Sequence, residues 1–288
     1  MQENQKKLLY IEKRRSIRIR RSKLLSQTKN IEYKIANTTE EMEQAFELVT
    51  QQYKSVGLHK ESSDLRLTKY HLLPDSKIFI AIKKSDTGEE TVIGTLTMVT
   101  DSSMGLPMDE IYLRKLNRMR ISGLLLSEVI GLAVSPVESA LHNNIVMYLF
   151  KICLQYARYS SVHDLLCSVT KKHINFYEEL LLFKPIGELS PYSFANGLPI
   201  QGHRLNIQQA NREFEKIYSG MEFDADLHRF FFTETREFNR PLGKGEAMTT
   251  EQIRYFIEKR TKLISSLSSK DKRILRDQFS AQKKIFAY

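Results

Sequence analysis

"LLLSEVIGLAV", residues 124–134, is the stretch on which the reading of this 288-residue chain turns. It reads as a long strand, and Glu128 within it shares a face with Leu124, Leu126, Ile130 and Leu132. A carboxylate set among such neighbours loses its water. Desolvation then raises its pKa toward the range in which a base works near neutral pH. The structural alternative is an ion pair with Arg66, Arg118 or Arg120.

The elements on either side of this strand set the fold class. "IEYKIA" (31–36) reads as a short strand, and Thr38 and Glu41 form a capping box for a helix over "TTEEMEQAFELVTQQY". Met42, Ala45, Phe46, Val49, Tyr53 and Val56 recur on one face of that helix. "KIFIAIKK" (77–84) is apolar on both faces, as a covered strand should be, and "SDTGEE" turns it into a strand over 93–99. After the 124–134 strand come an apolar helix from about Leu141 to Tyr159, a strand at "DLLCSVT" (164–170) and a short helix at "KKHINFYEELL". The last strands fall near "FKPIGEL" and "IQGHRLNI". This order predicts an α/β (α+β) fold: a mixed, mainly antiparallel central sheet with helices on both faces. A basic arm over 1–30 precedes the main domain at 31–207, and a helical extension at 208–288 follows it.

Between the 93–99 strand and the 124–134 strand lies an insertion, "TDSSMGLPMDEIYLRKLNRMR". Pro107 pre-sets a helix start, and Asp109 and Glu110 sit in its first turn, where the helix dipole favours acids. Met108, Ile111, Leu113, Leu116 and Met119 give this flap an apolar side, while Arg114 and Arg118 give it a basic one. Such a flap can cover a fatty chain and offer cations outward. It can equally be a packed insertion with no ligand.

Charge is concentrated at the ends. Residues 1–30 hold ten Lys/Arg against two acids and residues 251–288 ten against four, so a chain of net charge +10 has an acidic body. "EKRRSIRIRRSK" is therefore read as a surface-seeking arm or a solvated tail. Its interleaved Leu and Ile residues suit a peripheral contact with an anionic membrane. No aromatic platform or helix-turn-helix pattern supports nucleic-acid reading. The seven His and two Cys fit no metal-ligand spacing, and Cys153 and Cys167 are expected as core thiols. No apolar run is long enough to span a membrane and no secretory signal is evident, so a cytoplasmic protein is expected, with the inner membrane as the place for a peripheral contact.

"INFYEELLLFKPIGE" resembles the segment of the GNAT acyltransferase superfamily in which a helix bearing Phe-Tyr precedes the last strands. A closer resemblance runs over about 33–280. "VIGTLTMVTDSSMGLPMDEIY", "SEVIGLAVSP", "KHINFYEELLLFKPIGELSPYSFANGLPIQGHRLNI" and the helices at "DLHRFFFTETREF" and "MTTEQIRYFIEKR" are together similar to the bacterial long-chain N-acyl amino acid synthases of the FeeM type. That family is related to the homoserine lactone autoinducer synthases. The resemblance implies an N-acyltransferase that joins a fatty acyl thioester, usually on acyl carrier protein, to the α-amine of an amino acid. It also implies no permanently bound cofactor.

On this reading Glu128 is the general base, and backbone N–H groups where its strand splays from a neighbour receive the oxyanion. Tyr177 matches the position of the acid for the leaving thiolate, and His173 lies one helical turn before it. Asp109, Arg114, Arg118 and Arg120 on the flap, with Leu132 and Val134 farther along the strand, are the candidate substrate-binding residues. One of the three arginines is expected to hold the amino acid's carboxylate. Two departures bear on the donor and acceptor. Where acetyltransferases carry a glycine-rich loop for the pyrophosphate of coenzyme A, this chain reads "SPVESALHNN", with no glycine and with Glu138 in its place. This favours the 4'-phosphopantetheine thioester of a carrier protein over acyl-coenzyme A, although coenzyme A stays open as donor. Many relatives also have an Arg shortly after the glutamate, where this chain has Ile130-Gly131. The alternatives are an acyl-coenzyme A enzyme acting on another amine, and a non-catalytic acyl- or nucleic-acid-binding relative. The sequence leaves the amino acid, the chain length and the oligomeric state open.

Overall fold

The capping box at Thr38 forms as the sequence requires: its hydroxyl accepts the Glu41 N–H, and the Glu41 carboxylate accepts the N–H groups of Asn37 and Thr38. The computed structural model describes residues 30–60, 65–233 and 247–278, together with Ile19, Leu24 and Leu25. Strand β1 (Ile31–Ile35) leads into helix α1 (Thr39–Ser55), whose buried stripe includes Met42, Ala45, Phe46 and Val49. Strands β2 (Lys77–Lys84) and β3 (Glu90–Thr100) form a hairpin, and the flap carries helix α2 (Asp109–Ile121). Then come β4 (Leu126–Val134), helix α3 (His142–Tyr159) and β5 (Asp164–Thr170).

The expected short helix at 171–181 is instead a 3₁₀ turn, Lys171–His173, followed by one π-helical turn, Phe176–Leu180. The strand expected at "FKPIGEL" is reduced to two two-residue pieces, β6 (Lys184–Pro185) and β7 (Ser190–Pro191), because Pro185 and Pro191 cannot extend a ladder. Strand β8 (Pro199–Asn206) runs into helix α4 (Ile207–Tyr218). Short helices α5 (Thr250–Tyr255), α6 (Leu263–Ser266) and α7 (Ser269–Gln278) complete the described chain.

The sheet order is β1-β2-β3-β4-β5-β8-β6, with β7 pairing to β8. Strands β4 and β5 run parallel and the other described pairings are antiparallel. Both faces are covered, which is why β2 is apolar on both sides. On one face, α3 and α4 pack with Phe230, Phe231 and Phe232. On the other lie α1, the flap and the C-terminal helices, which contribute Ile253, Phe256, Ile257, Ile274 and Leu275. Phe256 meets Phe46 edge to face, Gln252 donates to the Asn37 carbonyl, and Lys69 pairs with Asp271 at 2.7 Å. The C-terminal helices are thereby fastened to the face that carries Glu128. Of the basic arm, Ile19 and Leu24 are buried on the α3 side. The rest of the arm and the Lys/Arg cluster after Gln278 lie outside the described residues, as does most of "TETREF".

Helix α2 is riveted to β8 by Tyr112. Its hydroxyl donates to the Glu188 carbonyl at 2.6 Å and accepts the Gly202 N–H at 3.1 Å. A Cβ on Gly202 would lie 2.5 Å from the Tyr112 ring, so only glycine admits the ring here. Gly202→Ala is expected to cost about 1–3 kcal/mol, the usual range for an extra methyl forced into a packed site. Urea unfolding measures it, and an unshifted midpoint would mean that α2 yields freely.

Candidate active site

The deciding strand holds one irregularity. Its pairing with β3 shifts register between Thr95 and Thr97, so Gly131 and Leu132 together face Leu96. This is a β-bulge, and Gly131 adopts the φ of +63° that such a bulge demands. The extra residue reverses the alternation beyond it. Leu126, Ile130 and Ala133 lie on the α1 and flap side, whereas Leu132 packs toward α3 and does not share Glu128's face as its spacing suggested. Val134 is buried opposite Gly94. Parallel pairing with β5 runs from Leu126↔Asp164 to Val129↔Cys167 and ends there, so the two strands part just beyond Glu128, beside the bulge. The Gly131 backbone hydrogen-bonds the Tyr53 hydroxyl at this point.

Glu128 is fully buried. Its Oε2 accepts the Met108 N–H at 2.8 Å, and Oε1 has no hydrogen-bond partner among the described residues. No cation pairs with it there either. Burial pushes the carboxyl up to about 8; the Met108 N–H opposes this, and the charges of Asp109 and Asp101 add to it. Around neutral pH the group is therefore poised to give and take a proton.

The flap supplies the lid. Met104, Leu106 and Met108 are buried beneath it. Arg120 holds both ends of the loop: its Nε and Nη2 donate to Asp101, and its Nη1 and Nη2 donate to Asp109. A further Nη1 bond to Asn117 brings all five guanidinium N–H donors into use within the protein. Asp109 also accepts the Leu106 N–H at 2.8 Å. Of the three flap arginines, Arg114 and Arg118 are exposed. Tyr112 and Leu116 form the buried side of α2, and Leu113, expected there, is 51% exposed.

Four side chains that pattern reading passed over, or named only as ion-pair alternatives, complete the surroundings. Tyr192 is buried with a hydroxyl that has no partner among the described residues. Tyr70 packs edge to face on Phe194, and Tyr192 lies against the same ring. Arg66 meets the rings of Tyr53 and Phe194 at 4.9 and 4.7 Å. Burial raises the Tyr70 and Tyr192 phenols, and the negative charge of Glu128 adds to this in both. These residues come from a loop before β2 and a loop before β8, where no periodicity marks them. The only available signal was aromatic density in "YSF".

Tyr177 is buried against Phe150, Phe176 and Phe183. Its phenol is pushed well up by burial, with Cys167 and Tyr53, which lie within electrostatic reach, adding to the shift. His173 is exposed, bonded through Nδ1 to the Thr170 hydroxyl, and burial lowers its pKa, with the charge of Lys172 adding to this. Cys153 and Cys167 are buried free thiols, with burial raising both pKa values. After β4, residues 136–141 make a 3₁₀ turn in which Glu138 is buried and pairs with Lys83 at 2.6 Å. No cluster of metal ligands occurs among the described residues, and no helix there is long and apolar enough to cross a membrane.

The profile of the N-acyl amino acid synthase FeeM family matches residues 44–206, more than half of the chain. The solved structure of FeeM, an N-acyl amino acid synthase from uncultured soil microbes, is 27% identical with a TM-score of 0.54, covering 63% of this chain and 93% of that one. An N-acetyltransferase from Staphylococcus aureus Mu50 is 16% identical, with a TM-score of 0.40 and coverage of 62% and 98%. The AHL synthase LasI is 11% identical, with a TM-score of 0.44 and coverage of 62% and 92%. No curated protein matches the chain in sequence. The fold matches that of the solved FeeM structure, Glu128 lies on the strand that parts from its neighbour, and the chain belongs to the FeeM N-acyl amino acid synthase family of N-acyltransferases.

Proposed function

We propose that this enzyme transfers a long-chain acyl group from the phosphopantetheine thioester of an acyl carrier protein to the α-amine of an amino acid. The observation that carries the reading is Glu128: a buried carboxyl with one free oxygen, a pKa of about 8, and a place where β4 and β5 separate. The thioester carbonyl enters between the parted strands. The amine nitrogen attacks it, the C–N bond forms and the C–S bond breaks, and Glu128 takes the proton that the nitrogen sheds. Backbone N–H groups at the bulge receive the oxyanion. The Tyr177 phenol, kept protonated by burial, hydrogen-bonds the departing sulfur, which leaves as thiolate and is protonated by solvent. His173, exposed and bonded to the Thr170 hydroxyl, orients the segment that carries Tyr177 in this reading.

The donor follows from what stands after β4. Coenzyme A needs a site for its phosphates, and here a buried, Lys83-paired Glu138 occupies the turn. A carrier protein brings its own acidic surface, and the exposed Arg114 and Arg118 on the flap offer it cations. The acyl chain runs under the flap, along Met104, Leu106 and Met108; Leu132 and Val134, which pack on the α3 side of the sheet, take no part in its path. We expect a lower apparent KM for acyl carrier protein than for the matching acyl-coenzyme A, with an advantage that shrinks as salt rises. Coenzyme A thioesters winning at every ionic strength would remove the carrier from this reading. The basic arm is the competing cation source. Removing residues 2–16 spares the buried Ile19 and Leu24; loss of binding to anionic liposomes with an unchanged carrier KM assigns the arm to a membrane surface.

A further inference from the structure

The carboxylate of an amino-acid acceptor needs a cation with free donors, near enough to Glu128 for one Cα to carry both groups. Arg120 has no donor left, and Arg114 and Arg118 are exposed. Arg66 differs in its donors and its burial, and the Tyr53 and Phe194 rings it meets pack on the face of the sheet that carries Glu128. Nη1 is held by His59 Nδ1 at 3.1 Å and Nη2 by the Phe194 carbonyl at 2.5 Å, so the guanidinium is oriented by neutral acceptors. No carboxylate pairs with it among the described residues, and its remaining N–H donors have no protein partner there. The centroids of the Tyr53 and Phe194 rings lie 4.9 and 4.7 Å from its guanidinium carbon. A positive group so fixed, partly desolvated and without a counter-charge among the described residues is arranged for an anion.

A second observation falls beside it. Tyr192 is 1% exposed, its hydroxyl lacks a hydrogen-bond partner among the described residues, and its ring lies 5.7 Å from Phe194, the ring that Arg66 covers. Buried hydroxyls rarely go unpaired, and each such case asks for a missing partner. The charges of Glu128 and Arg66 both act on the Tyr192 phenol, so both groups lie within electrostatic reach of it. Oε1 of Glu128 is likewise buried without a partner among the described residues. His71, close enough to feel the Arg66 charge, is held neutral by burial and by that charge, with a pKa lowered to about 3, so it adds no competing cation.

We propose that Arg66 and the Tyr192 hydroxyl form the subsite for the carboxylate of the acceptor, with Oε1 of Glu128 beside it receiving the amine. This rests on the reading of the acceptor as an amino acid. Arg66 here is a binding residue, and His59 and Phe194 position it. Glu128 Oε1 and the Tyr192 hydroxyl, both without a partner among the described residues, then gain partners when one small zwitterion enters.

The test uses the full chain with a long-chain acyl thioester donor. Each common amino acid is assayed, and the best is compared with its methyl ester and its decarboxylated amine. Wild type should prefer the free acid. In Arg66→Gln the KM for the amino acid should rise by roughly 10- to 100-fold, the scale of a lost hydrogen-bonded contact to a charged group. Turnover at saturation should change less, and the preference over the ester should collapse. Arg66→Lys should restore part of it. Tyr192→Phe keeps the ring, and so guards against an Arg66 variant that does not fold. It should raise the amino-acid KM by about 3- to 10-fold while raising the melting temperature, because an unsatisfied buried hydroxyl is removed. A folded Arg66→Gln or Tyr192→Phe with unchanged KM and unchanged preference overturns the subsite and leaves the synthase reading intact. A wild-type enzyme that acylates amines but no amino acid overturns both.

Discussion

Glu128→Gln should slow amide formation by roughly 10²-fold or more, the scale on which a general base contributes. Glutamine keeps the shape and can still accept the Met108 N–H, so the loss isolates the proton-accepting function. The pH profile gives an independent signature. With a folded-state pKa of about 8, kcat/KM of the wild type should climb through the neutral range and level off above it. In Glu128→Gln the profile should lose one unit of slope below that point. Stability moves in the opposite sense. Below the ordinary value of 4.5 both folded and unfolded chains hold this proton, whereas between 4.5 and about 8 only the folded chain keeps it. Folding is therefore weakened progressively as pH rises through that window, by roughly 3–5 kcal/mol at its upper end. The glutamine variant lacks this loss, so it should gain on the wild type in melting temperature from pH 5 to pH 9 while losing turnover. Near wild-type turnover across pH 6 to 9 would dismiss Glu128 as the base. Tyr177→Phe should cost less, since a thiolate leaves readily without full protonation.

The importance of Glu128 was legible because burial of a charge on a strand is written in its neighbours. Alternation places the apolar residues, and a lone carboxylate among them stands out. The same alternation failed three residues later. Gly131 inserts an extra residue into β4, which turns Leu132 toward α3, and a glycine in a strand does not by itself say that it will bulge. Capping was equally legible: Thr38 with Glu41 forms the reciprocal bonds that their spacing predicts. What the sequence hid was pairing across distance. Arg120 is 19 residues from Asp101 and 11 from Asp109, and nothing in the intervening chain marks all three as one cluster. Arg66 meets the carbonyl of Phe194, 128 residues away, by the same kind of long-range closure. Local rules report periodicity and caps. Loop-to-loop contacts depend on how the layers stack.

Arg120→Met should release the flap. The methionine keeps most of the side chain's length and removes only the guanidinium, so packing is a smaller variable than charge. Two carboxylates then face each other without a cation, each within electrostatic reach of Glu128. Breaking a buried ion pair costs about 3–5 kcal/mol, but exposed pairs are worth about one at most. The Arg120 side chain is 24% exposed and its partners 15% and 18%, so the pair lies nearer the buried limit and a loss of roughly 2–3 kcal/mol is expected. The flap also places the Met108 N–H on Glu128, and a shift of about 1 Å at such a site can cost on the order of 10²-fold in rate. Turnover should therefore fall by roughly 10- to 100-fold although Arg120 need touch no substrate. The double variant Asp101→Asn/Arg120→Met separates the charge from the clamp. It removes one unpaired carboxylate, so part of the stability should return, whereas turnover should stay low because nothing closes the loop. A single variant with unchanged melting temperature and unchanged turnover would show that the flap is held without Arg120. If the double variant recovered turnover along with stability, uncompensated charge beside Glu128, and not a loosened flap, would be the cause of the defect.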